Sequence, residues 1–219
     1  MEIHAHTPKI GGSWSHWLLE GLFIVLSVGL AFAVADYREA RANHELATRV
    51  LRSLRAEIEH NRKQVEPFLP LHQQWGPRLS ALDLSHAQQT PLEAFVAARP
   101  EGPAETKMNF PTEVRRGAWD AALSTGALRF IDYDLVAALS EIYQVQAFYG
   151  QNIDRVVAAA ASTAAFDPSS RAVVVKQLAY DLNQVAFAEK LLLDLYKRHA
   201  PAIRAAADEA HEAPAASNP

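Results

Sequence analysis

Residues 17–35 read WLLEGLFIVLSVGLAFAVA, nineteen residues with one charge, Glu20, near the upstream end. At 1.5 Å per residue, an apolar helix of about 20 residues covers the roughly 30 Å hydrocarbon core of a bilayer. Every face between Gly21 and Ala35 is apolar or small, whereas a buried helix of a soluble protein is usually shorter and carries polar positions on one face. The segment reads as a single transmembrane helix. Its rival is a cleaved signal peptide, because Ala31-Phe32-Ala33 and Ala33-Val34-Ala35 both fit the small-x-small cleavage pattern. Three features oppose cleavage. Lys9 is the single cation upstream, Glu20 directly precedes the apolar run, and the helical pattern continues past Ala35 without Pro or Gly.

The flanks suit an anchor. Trp14 and Trp17 upstream, with Tyr37 and Arg38 downstream, stand where side chains with an apolar body and a polar tip settle at the headgroup layer. Within the span, Glu20, Ile24, Ser27, Ala31 and Ala35 fall on one helical face. Ser27-xxx-Ala31-xxx-Ala35 is a small-residue ridge of the kind that lets a second helix approach closely in lipid. This face is expected to pack against a partner helix, from another transmembrane protein or from a second copy. Glu20 would either accept a hydrogen bond there or face water at the headgroups.

From Asp36 to Val65 there is again no Pro or Gly. His44, Ala47, Leu51, Leu54, Ile58, Asn61 and Val65 repeat at spacings of three and four, which predicts an amphipathic stalk over 36–66 continuous with the span. Glu45 to Arg49 and Glu59 to Lys63 are i,i+4 pairs in the favoured orientation. Residues 67–212 read as an antiparallel helical bundle. A short helix is expected over 71–84, restarting after Pro70 and after Pro77. Thr90-Pro91 signals an N-cap and a first helical turn of a helix through Ala98, and 99–111 is a Pro-rich loop. A helix from a Thr112 cap to Gly126 follows, then one from Asp132 to Asp167 through Gly150, with Leu139, Ile142, Gln146 and Tyr149 on its buried face. The last runs to His199 and bends or restarts at Pro201. Residues 1–16 and 213–219 read as flexible tails. The fold class is all-α.

Two stretches resemble a large, uncharacterised bacterial family of small single-span membrane proteins. One is His16 to Phe32, followed by Asp36-Tyr37-Arg38-Glu39 and by Leu51 to Ile58. The other is Ala118-Trp119-Asp120-Ala121-Ala122-Leu123-Ser124-Thr125-Gly126-Ala127-Leu128-Arg129-Phe130-Ile131, ending at Leu139-Ser140-Glu141-Ile142-Tyr143. The resemblance implies a membrane-anchored helical domain and brings no catalytic residues with it. It also implies that the domain lies outside the inner membrane. The count of cations argues the reverse: Lys9 alone precedes the span, while Arg38, Arg41, Arg49, Arg52 and Arg55 follow it. Long domains can translocate despite flanking charge, so a periplasmic domain is the expectation and a cytoplasmic one its alternative.

The chain's 219 residues carry a net charge of −4 and no cysteine. That leaves no basic field for nucleic acid and removes disulfides, thiolate metal sites and a Cys nucleophile. Glu57 and His60 are spaced as in the Glu-x-x-His of di-metal bundles, but those use the motif twice, so a solvated face is the reading adopted. Asp83, Ser85 and His86 lack the elbow and oxyanion signature of a hydrolase, and no phosphate-cradling Gly-rich loop is present. Tyr133, Tyr143, Phe148, Tyr149 and Phe166 read as core. No catalytic, cofactor or metal residues are assigned. The expected function is a structural or accessory subunit with the lipid bilayer and other membrane proteins as partners. The alternatives are a ligand-sensing bundle and a membrane-bound enzyme with an unrecognised site.

Overall fold

The computed structural model describes residues 14–84, 88–102, 110–111 and 114–212. Six α-helices follow in order: α1 (Trp14–Val65), α2 (Leu69–Ser80), α3 (Pro91–Ala97), α4 (Gly117–Thr125), α5 (Tyr133–Ala161) and α6 (Arg171–Glu212). Short 3-10 turns span Ala127–Phe130, Thr163–Phe166 and Pro168–Ser170. No strand occurs among the described residues, and the protein is all-α. The chain divides into two units, Met1–Glu45 and Leu46–Pro219.

The first unit contains the upstream part of α1. Its apolar side chains, from Trp17 to Val34, are exposed, and it holds the one stretch among the described residues long and apolar enough to cross a membrane, with mean hydropathy 2.3. Its surface ion pair joins Arg41 to Glu45 at 2.9 Å, so Glu45 turns back toward Arg41 rather than forward to Arg49.

The second unit is organised along α6. Gln146 meets Tyr196 and Tyr149 meets Glu189, so α5 runs antiparallel to α6. Arg55 of α1 meets Asp208, and His72 of α2 meets Glu189. The downstream part of α1 and then α2 therefore lie one after the other along α6, both antiparallel to it. Leu51, Leu54, Ile58 and Val65 of α1 join Trp75 of α2, Leu139 and Ile142 of α5, and Leu178, Leu182 and Leu192 of α6 in one core. The predicted α1 stripe is buried from Ala47 onward, whereas His44 is exposed.

Several boundaries differ from the sequence reading, each for a local reason. α2 is one helix, with Pro77 inside it. Proline crowds the Cβ of the residue before it, and that residue is Gly76. A Cβ on Gly76 would also overlap the Asn183 side-chain amide of α6, so the same glycine admits the proline and the close approach of the two helices. α4 begins at Gly117, and Thr112 lies outside the described residues. α5 stops at Ala161, where Ser162 turns extended with ψ 151° and its hydroxyl donates to the Ala159 carbonyl at 2.8 Å. Pro201 lies within a continuous α6. Buried Leu195, Tyr196, Ile203 and Ala207 on either side of it hold the helix against the core. Tyr133 and Phe166 are exposed rather than core.

Other boundaries are as expected. Thr90 and Glu93 form a reciprocal capping box at the start of α3. The Asp132 carboxylate accepts from the amides of Asp134 and Leu135 to open α5. Gly126 ends α4 with φ +67°, a left-handed conformation that disfavours any Cβ. Gly150, by contrast, sits in the middle of α5, and a Cβ there would meet nothing within 4 Å.

These two glycines give opposite expectations. Gly126→Ala should lower stability by about 1–2 kcal/mol. Gly150→Ala should raise it by about 0.5–1 kcal/mol by removing backbone freedom from the unfolded chain. Urea unfolding followed by circular dichroism checks both, and equal midpoints for the two variants would contradict the assignment.

Candidate functional site: a buried polar frame on helix α1

α1 buries the polar residues Thr48, Glu57 and Asn61, and the last two stand between Leu54 and Val65 of its core stripe. A buried carboxylate is costly unless its lone pairs are taken, and Glu57 is fully engaged. Its Oε2 accepts the Ala118 amide at 2.8 Å. Its Oε1 accepts the Tyr143 hydroxyl at 2.6 Å and, more weakly, the Trp119 amide at 3.4 Å. Ala118 and Trp119 are the second and third residues of α4, whose first-turn amides have no partner within the helix. Glu57 thus caps α4 from another helix, with its negative charge at the positive end of the helix dipole. The Trp119 and Tyr143 rings stack with centroids 4.8 Å apart.

Asn61, one turn further along α1, handles the residue before that cap. Its amide nitrogen donates to the Arg115 carbonyl at 2.6 Å and its oxygen accepts the Arg115 amide at 2.8 Å. The side chain pairs with both backbone groups as a neighbouring strand would. Gln146 adds a second donor to the Arg115 carbonyl at 2.7 Å, and its oxygen accepts from Asn61 and from the Tyr196 hydroxyl. Burial, with the Glu57 carboxylate beside it, pushes the Tyr143 hydroxyl well above the ordinary tyrosine range, and burial does the same to Tyr196. Both phenols stay protonated as donors.

A second buried polar group lies between α2, α5 and α6. His72 Nδ1 is 2.8 Å from Glu189 Oε1, with both side chains fully buried. Tyr149 donates its hydroxyl to the same oxygen at 3.0 Å, and burial followed by the nearby carboxylate raises its own ionisation. The His72 ring stacks on Phe68 and Trp75, and Trp75 Nε1 donates to the Phe95 carbonyl at 3.0 Å. A cleft of about 270 Å³ borders both groups, lined by Val114, Arg116, Tyr143, Gln146, Tyr149 and Gly150 among others.

The sequence reading of Glu57 as a solvated surface acid is corrected by this arrangement. Its spacing to His60 drew attention to a metal pattern that would have needed a second copy. What it lacked was the partner, because nothing in the sequence says that α4 would start against α1. The signal available was the position of Glu57 next to Ile58 and between Leu54 and Asn61, inside the apolar stripe. His72, Glu189 and Asn61 gave no functional signal beyond helical spacing.

Glu20, Ile24, Ser27, Ala31 and Ala35 lie on the exposed surface of α1 in the first unit, as do Trp14, Trp17, Tyr37 and Arg38. The Ser27 hydroxyl donates to the Phe23 carbonyl one turn back at 2.7 Å, which satisfies it within the helix. A Cβ on Gly21 or Gly29 would meet nothing within 4 Å. Compared with protein-family models, curated proteins and solved structures, the chain matches none.

The frame predicts unequal costs for its two sides. Glu57→Ala removes the acceptor and strands two amides and a phenol, and should cost about 3–5 kcal/mol. Tyr143→Phe removes one donor from a carboxylate that keeps its amide partners, and should cost about 1.5–3 kcal/mol. A double-mutant cycle read by urea unfolding should return a coupling of about 1 kcal/mol or more. Strict additivity would show that the hydroxyl and carboxylate do not act together.

Proposed function

We propose that the chain is a structural or accessory subunit of the bacterial inner membrane. In this reading α1 anchors it, and the Leu46–Pro219 bundle presents a helical surface to an extramembrane partner. One observation carries the reading: an 18-residue window of α1 with mean hydropathy 2.3 has no buried residue among the described residues. Side chains such as Leu18, Phe23, Ile24 and Phe32 are more than half exposed. In water such a run would be a large apolar liability; in lipid it is the anchor. The resemblance read in residues 16–32, 36–39, 51–58, 118–131 and 139–143 to small single-span bacterial membrane proteins supports the same reading and favours a periplasmic domain.

The face of Glu20, Ile24, Ser27, Ala31 and Ala35 is the surface we assign to a partner helix. Helices in lipid associate by close packing rather than by expelling water, and small residues allow that approach. A ligand-sensing reading has one observation in its favour. The cleft beside Gly150 is walled by Tyr143 and Gln146, which hydrogen-bond to Glu57 and Asn61 of α1. A molecule in that cleft would therefore press on side chains that grip α1.

Carbonate extraction of membranes tests the anchor: the chain should remain in the pellet, and its release into the supernatant would remove the basis of the reading. Ser27→Leu and Ala31→Leu should then reduce co-purification of a membrane partner or of a second tagged copy, while Ile24→Leu should leave it unchanged. Equal recovery for all three variants would mean that the face meets only lipid. A phosphatase or fluorescent reporter fused after Pro219 reads the side: phosphatase activity without fluorescence is the expected result.

A further inference from the structure

We propose that the end of the second unit formed by Arg129, Phe130 and Tyr133 rests on the phospholipid headgroup layer. This goes beyond the anchor reading and depends on it. The hydrogen bonds of Glu57 to Tyr143 and of Asn61 to Gln146 set α1 and α5 side by side in the same direction. Ten residues upstream of the first pair stand Ala47 and Tyr133, so Tyr133 lies at the level where α1 enters this unit. From Ala35, the last residue of the apolar run, to Leu46 is eleven residues. Whatever the arrangement of the two units, eleven residues carry the chain no further than about 40 Å. The Tyr133 end is therefore the tethered end.

The chemistry at that end suits lipid. Tyr133 is 81% exposed, at the first position of α5, where no packing within the unit accounts for an aromatic ring. The Arg129 guanidinium lies over the Phe130 ring, 4.5 Å from its centroid. Tyrosine and arginine each join an apolar body to a polar tip, and the headgroup layer offers hydrocarbon below and phosphate oxygens above. The neighbouring Asp132 carboxylate is occupied in capping α5. The far end of the unit differs. There, around the end of α5 and the start of α6, exposed Val157, Phe166 and Val173 have no polar tip, and the exposed Tyr180 comes two turns further along α6.

The absence of cysteine makes a direct test simple. Tyr133→Cys and Val173→Cys are each labelled with an environment-sensitive fluorophore in the full chain. Both are reconstituted into vesicles of phosphatidylethanolamine and phosphatidylglycerol containing a headgroup-quencher lipid. Both sites are exposed, so labelling should leave the fold intact, which circular dichroism checks. Quenching at position 133 should exceed that at 173 by about twofold or more. Equal quenching, or stronger quenching at 173, would overturn the proposal while leaving the anchor in place. A chain that fails to float with the vesicles would overturn the anchor reading, and this one with it.

Discussion

The carboxylate of Glu57 is the constraint on which the second unit depends. Taking an acid from water into a helix bundle costs several kcal/mol unless donors surround it. Here the donors come from two other elements, the first turn of α4 and the Tyr143 hydroxyl of α5. A short helix of nine residues such as α4 is marginal alone, and its unpaired amides would be a further penalty if buried. One side chain resolves both problems. It places α4 against α1 and explains why α4 starts at Gly117, because Asn61 holds the backbone of Arg115 just upstream in a non-helical pairing.

Much of this fold was legible in the sequence because it rests on periodicity and local chemistry. The α1 stripe from Ala47 to Val65, the Thr90 N-cap, the Asp132 cap and the left-handed Gly126 each follow from residues within four positions of one another. The frame did not follow, because its partners are 31 to 86 residues apart. A glutamate in a helix with charged neighbours looks solvated until the element that caps onto it is known. The two prolines illustrate the same divide. Pro77 and Pro201 carry a local signal to stop, and both helices continue, since α2 and α6 are held by side chains on either side of the proline. At Pro77 the preceding glycine removes part of the local objection as well.

Two buried polar groups in one bundle also bear on why it has a single packing. Apolar helices slide or rotate past one another at little cost, since leucine against leucine is much the same one position along. Glu57, Asn61, Gln146 and Tyr196 do not tolerate such a slip. One residue of rotation turns a side chain by about 100° around the helix, which would strand a carboxylate, two amides and several backbone groups at once. The His72–Glu189–Tyr149 group does the same for α2, α5 and α6. An all-apolar replacement of similar volume would lose little stability, so the frame is better understood as fixing register than as adding strength.

That distinction matters for a helix that carries both an uncovered apolar run and the buried frame. α1 is held in the bundle by hydrogen bonds at Glu57 and Asn61 and by packing at Leu51, Leu54, Ile58 and Val65. Its rotational setting in the second unit is therefore tightly defined. In the first unit the apolar side chains of α1 from Trp17 to Val34 are exposed, and the small-residue face is defined only by its own sequence. The cleft next to Tyr143 and Gln146 borders those same hydrogen bonds, so occupancy there would act on α1 through them.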